Sequence, residues 1–174
     1  MLKRFTVAAV AALAVATFAS ADPAPKPNDA QIAHIAYTAG AIDIAAAKQA
    51  LAMSKNAKVR EFAQEMVRDH TAVNDKALAL VKKLGVTPQD NPTSESLSAA
   101  AKQKLADYAK LRGHAFDVAY AKNEVAYHQT VNGALESTLI PDAQNPELKS
   151  LLQTGLKLFK EHQEHASHLV AELK

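Results

Sequence analysis

The chain has 174 residues, 20 basic side chains against 18 acidic ones, seven histidines and no cysteine. Without cysteine there are neither disulfides nor thiolate metal sites, so packing must hold the fold. A near-neutral balance, no basic block and only 5% aromatic residues give nucleic-acid binding no support.

Residues 1–21, MLKRFTVAAVAALAVATFASA, read as a secretory signal peptide: Lys3-Arg4, an apolar run from Phe5 to Phe18, then Ala19-Ser20-Ala21 as a small-x-small cleavage site. Cleavage is expected after Ala21, sending the mature chain to a bacterial periplasm or outside the cell. The apolar run is too short to span a bilayer comfortably and no second run follows, so no membrane span is expected after cleavage. Nor is a lipid anchor, since no cysteine follows the signal. Removing Lys3 and Arg4 takes the 20 basic residues to 18, level with the 18 acids.

Residues 22–28 form a proline-rich extended stub, and a single domain is expected over 29–174. Asn28 with Gln31 resembles a capping box that opens the first helix. Ile32, Ile35, Ala39, Ile42, Ala46, Gln49 and Met53 form its seam at helical spacing. The pattern breaks at Ser54-Lys55-Asn56. Val59, Ala63, Met66, His70, Val73, Ala77, Leu80 and Leu84 then form a second seam, which Gly85 ends, with Pro88 beyond.

The turn-rich GVTPQDNPT leads to a shorter helix, capped by Thr93 or Ser94 and reaching about Leu111. A third long helix is predicted from about Gly113 to Leu139, with Val118, Ala121, Val125, His128, Asn132, Leu135 and Leu139 on its apolar side and Pro141 as its stop. Asn145-Pro146 starts the fourth, whose seam is Leu148, Leu152, Gly155, Phe159, His162, Ala166, Leu169 and Leu173. No stretch alternates for long enough to suggest a strand. The fold predicted is all-α, a four-helix bundle. The segment from 85 to 112 can return along it as a crossover, with up-down-up-down as the alternative.

Three seam histidines carry the chemistry. His70, His128 and His162 lie about 14, 15 and 17 residues into their helices, and Asp43 lies about 14 into the first. Helices that start or end level would bring all four to one mid-height layer. Imidazole and carboxylate from facing helices are how bundle cores build metal sites. Glu124, one turn before His128, is a reserve carboxylate. Asp69 can orient a neighbouring histidine. Asp117 and Tyr120 either extend the layer or cap the third long helix. The plain alternative is a neutral polar layer of His70, His128, Asp43, Tyr127 and Asn74 that fixes helix register without metal. His165 and His168 are expected to face solvent, Met53 and Met66 to fill core. No phosphate-binding loop, nucleophile elbow, HExxH or dinucleotide fingerprint is present.

AYTAGAIDIAAAKQALAMSKNAKVREFAQEMVRDHTAVNDKALALVKKLG, then GHAFDVAYAKNEVAYHQTV and the late FKEHQEHA, resemble the secreted bacterial proteins of the domain of unknown function 4142 family. The resemblance covers about residues 31–172. It rests on Asp43 after Gly40, Asp69-His70 with Asn74, Phe116-Asp117 with Tyr120 and His128, and His162. It implies a ferritin-like four-helix bundle with the long crossover between helices two and three. A di-iron centre would need ExxH on two helices. Val67, Val125 and Phe159 stand three residues before the three histidines, so one mononuclear site or none is expected. Zinc, copper, iron, nickel or manganese would suit such ligands.

The leading reading is therefore a periplasmic bundle holding one divalent transition metal for envelope metal handling or stress protection. Against it stands a metal-free structural or partner-binding protein. A third reading, a metal-dependent oxidoreductase, requires an open coordination position and substrate access, and no motif supplies either. The sequence specifies no protein partner and leaves a homo-oligomer open.

Overall fold

The computed structural model describes residues 26–174. The predicted signal peptide and the start of the stub lie outside the described residues. Six helices follow in order: α1 (Asp29–Met53), α2 (Ala57–Lys83), α3 (Pro92–Tyr108), α4 (Gly113–Ala134), a short α5 (Ile140–Asp142) and α6 (Pro146–Glu172). A π-helical turn, Leu135–Leu139, joins α4 to α5. Among the described residues there is no strand, and no helix is long and apolar enough to cross a membrane.

Local chemistry sets the boundaries. The Asn28 side chain accepts from Gln31 N–H while the Gln31 side chain accepts from Asn28 N–H, the reciprocal cap expected. Asn56 caps α2 by accepting from Lys58 and Val59, and Asn145 caps α6 by accepting from Glu147 and Leu148. Arg60 donates to the Leu51 and Ser54 carbonyls, satisfying acceptors that the end of α1 leaves open. Gly85, at φ 65°, turns the chain out of α2 in a conformation that side-chain-bearing residues resist.

Two boundaries differ from expectation. Asn91, not Thr93 or Ser94, caps α3. Its side chain accepts from Ser94 N–H and the Ser94 hydroxyl accepts from Asn91 N–H, so Pro92 falls at the first helical position, where its missing N–H costs nothing. Pro141 does not stop the helix that begins at Gly113. A helical proline collides with the carbonyl four residues back. Here the turn ahead of it widens to π geometry, with Ile140 N–H bonded to the Leu135 carbonyl, and the helix runs on to Asp142.

The chain directions follow from bonds between distant elements. Gln89 N–H donates to the Ala30 carbonyl and Asn91 to that of Gln31, so α3 starts beside the start of α1. Gln49 donates to the Leu105 carbonyl, so α3 ends beside the end of α1. The chain is thus carried back along the bundle before α4 begins, and α2 and α4 run the same way. The crossover arrangement holds and up-down-up-down does not. At the far end, Asp29 accepts from Gln144 and Asn145 N–H, fixing the α5–α6 junction to the start of α1.

The interior has two apolar cores. One gathers Val59, Phe62, Met66, Tyr108, Phe116, Tyr120 and Leu169. The other gathers Ile32, Ile35, Val81, Leu135, Leu148, Leu152 and Phe159. Between them lie Asp43, His70, Glu124, His128 and His162, all at most 3% exposed.

Candidate metal centre

Each of the four long helices sends its mid-length polar residue inward. Asp43 leaves the α1 face that also buries Ala39, Gly40, Ala46 and Ala47, while Ile42, which the seam placed inward, is only half-buried. His70 comes from α2, Glu124 and His128 from α4, His162 from α6. Candidate ligand atoms of His70, His128 and His162 lie within 4.8 Å of one another, as do those of Asp43, Glu124 and His128. The structure thus brings together all four predicted ligands, and Glu124 stands beside Asp43 rather than at the margin.

Distances suit a small ion. His70 Nε2 is 3.5 Å and His128 Nε2 3.6 Å from the same oxygen, Asp43 Oδ2. Tetrahedral coordination with bonds of 2.0–2.2 Å spaces ligand atoms about 3.4 Å apart. At these lengths the contacts are too long for hydrogen bonds. Neither is an ion pair, because burial pulls the His70 imidazole well below its ordinary pKa and His128 down to about 4, which keeps both neutral at pH 7.

The outward hydrogen bonds decide which nitrogens face inward with a lone pair. His128 Nδ1 lies 3.0 Å from the Glu124 carbonyl, which can only accept, so Nδ1 carries the proton and Nε2 is bare. His162 Nε2 lies 3.2 Å from Asp69 Oδ2. Asp69 is held below its usual pKa by its bond to Arg68, so it stays a carboxylate and accepts. His162 Nδ1 is therefore bare. His128 Nε2, His162 Nδ1 and both His70 nitrogens have no hydrogen-bond partner within the protein, and Asp43 is paired with the Glu124 carboxyl beside it. His70 is instead fixed by stacking on Phe159, ring centroids 4.7 Å apart. A ligating histidine anchored through its other nitrogen is the usual arrangement around protein-bound metals.

The carboxyls complete the electrostatics. Burial raises Asp43 to about 7. Glu124 is pushed well above its ordinary value by burial and by Asp43 beside it. Burial thus favours a proton on the pair, which a divalent ion would displace. A cavity of about 170 Å³ under α3, lined by Asp43, Glu124, Ala100, Lys104 and Leu105, reaches these carboxyls from the bundle's side.

The remaining candidates separate. Asp69 takes the orienting position. Asn74 is buried but donates to the Tyr37 carbonyl, and its side chain occupies the space a Cβ on Gly40 would need. Asp117 makes no capping bond; it is buried, with Oδ1 unpartnered. Tyr120 also lacks a partner and lies in the aromatic core, its phenol pKa raised by burial and by the Glu124 and Asp43 charges. Tyr108 of α3, which the sequence reading passed over, feels the same two charges. Its only signal was an aromatic at the end of the crossover helix. His165 pairs with Glu65 at 2.6 Å, and both His165 and His168 are exposed.

No curated protein and no solved structure matches this chain. One family model does, described as a domain of unknown function (DUF4142), over residues 14–169. That span takes in every residue of the centre, and the chain belongs to the DUF4142 family.

Proposed function

We propose that this chain is an exported, periplasmic or secreted bundle that binds one transition-metal ion through Asp43, His70, His128 and His162, with Glu124 as a further carboxylate, for envelope metal handling or stress protection. The observation that carries the reading is the pair of anchored histidines: His128 and His162 each give their protonated nitrogen to an oxygen and leave the other bare beside His70 and Asp43. Buried polar atoms without partners are costly, and an ion would satisfy several at once. Three nitrogens and one or two oxygens suit zinc, copper(II), iron, nickel or manganese.

Elemental analysis of untagged protein from the periplasm is expected to give about one ion per chain, and none in His70→Ala. Chelator should lower the melting temperature of the wild type and added metal restore it by mass action. No bound metal, with melting unchanged by chelator or ion, would sink the proposal. A metal-free structural layer is the second reading, favoured by bonds that tie helices at this level: Tyr127 to the Ala39 carbonyl, Asn132 to that of Phe159. On that reading His70→Leu should be neutral or stabilising.

A further inference from the structure

A second cavity, of about 180 Å³, lies on the other side of the histidines from the aromatic core. Small residues open it: Ala33, Ala36 and Ala39 on α1, Ala77 on α2 and Gly155 on α6. Leu135 and Leu139, the two ends of the π turn, form part of its wall, and π turns concentrate at functional sites. Thr93, Thr130 and Ala134 line it too and are exposed, which places them at the rim.

We infer that this cavity binds a small neutral organic molecule with an apolar body and one hydrogen-bonding group, the latter directed at His70 and His128. Size argues for the class. An apolar cavity of about 150 Å³ accepts benzene, so about 180 Å³ takes a six- to nine-atom molecule. Charge argues for neutrality: no Asp, Glu, Lys or Arg lines the wall, and an unpaired ion buried there would be heavily penalised. The polar end is argued from the histidines. His70 and His128 line the cavity, each at most 3% exposed, and His70 Nδ1, His70 Nε2 and His128 Nε2 have no partner in the protein. In metal-free protein a hydroxyl there would find a bare imidazole nitrogen to accept from it, and in a metal-bound centre an open coordination position on the ion. The inference concerns the proposed metal centre as seen by a second ligand, and it does not require the ion.

Phenol and benzene serve as probe molecules, titrated by NMR into chelator-treated and zinc-loaded wild-type protein. Saturable binding below about 1 mM is expected in at least the chelated form, with phenol at least fivefold tighter than benzene. Nuclear Overhauser contacts should link phenol protons to Leu139 and Leu152 methyls. Gly155→Leu, which plugs the wall, should weaken binding at least tenfold. If that variant does not fold, the contacts in the wild type decide alone. Absence of saturable shifts at 10 mM in both forms overturns the inference, as do contacts confined to surface residues. Phenol and benzene binding equally well would overturn the assignment of the polar end. Phenol binding by a chain that holds no metal would leave this inference standing and the metal proposal fallen; metal without phenol binding would do the reverse.

Discussion

On one side of the histidine layer Phe62, Tyr108, Phe116 and Tyr120 pack ring on ring, with Phe116 and Tyr120 stacked 6.2 Å apart and Phe62 edge-on to Tyr120 at 6.1 Å. On the other side the same four helices meet through alanines and a glycine, and a cavity of about 180 Å³ remains. Side-chain volume differs sharply between the two sides, four aromatic rings on one and small residues on the other. At about 24 cal/mol per Å³, leaving such a hollow costs on the order of 4 kcal/mol. The bundle therefore packs its rings in one half and leaves its apolar hollow in the other, with the histidine layer as the boundary.

Truncation at matched depth should expose that asymmetry, with the largest effect in the filled half. Phe62 is fully buried, and Phe62→Ala should destabilise by about 3–5 kcal/mol in urea unfolding. Leu152 already borders the cavity and has fewer atoms to lose, so Leu152→Ala should cost about 2 kcal/mol, the low end of such substitutions. Equal costs would mean that the hollow half collapses in solution.

The boundary layer has its own signature, in pH. In metal-free protein burial holds Asp43 at about 7 against 3.8 when exposed. A carboxyl raised in this way stabilises the fold fully below about pH 3.8, and that contribution is lost as pH rises through about 7. The histidines act oppositely: burial lowers all three, so the stability they give is lost as pH falls below about 6.5. Asp43→Asn removes that carboxyl together with its push on Glu124, so its difference from wild type reports the coupled carboxyl pair. Relative to that variant, wild type in chelator should lose about 1.4 kcal/mol per pH unit from about pH 5 to 7 and nothing further above about pH 8. A flat difference would show Asp43 ionised in the apo core, and a boundary less dry than its burial implies.

The two halves were not equally legible in the sequence. Helical periodicity found all four long helices, because seam spacing and asparagine caps are local signals; it left the crossover open beside up-down-up-down, and the family resemblance favoured the crossover. Periodicity also brought Asp43, His70, His128 and His162 to one level, since helix starts and residue counts fix height. What it could not give was rotation about each helix axis. Ile42 and Asp43 are adjacent, and the seam turned Ile42 inward with Asp43 at its flank, whereas the structure buries Asp43 and leaves Ile42 half-buried. Glu124 ranked as a reserve for the same reason, although the structure buries it as deeply as the histidines. The hollow was hidden altogether, because a cavity is a deficit of volume across facing helices. Ala36, Ala77 and Gly155 are each unremarkable at helical positions; only their meeting at one level leaves space.

Gly155 gives the smallest and most discriminating test of the comparison. A glycine inside a helix costs about 1 kcal/mol relative to alanine. A Cβ at Gly155 would approach only the Phe159 ring, at 3.4 Å, an ordinary contact. Gly155→Ala should therefore stabilise by about 1 kcal/mol, partly by the helix and partly by one methyl placed in the hollow. Gly40 sits deep in α1 but offers no such gain, since a Cβ there would press into the Asn74 side chain and break its bond to the Tyr37 carbonyl. Stabilisation at Gly155 with weakened phenol binding would mean that the volume serves a ligand. Stabilisation with binding intact would place the ligand elsewhere along the wall, nearer His70 than α6.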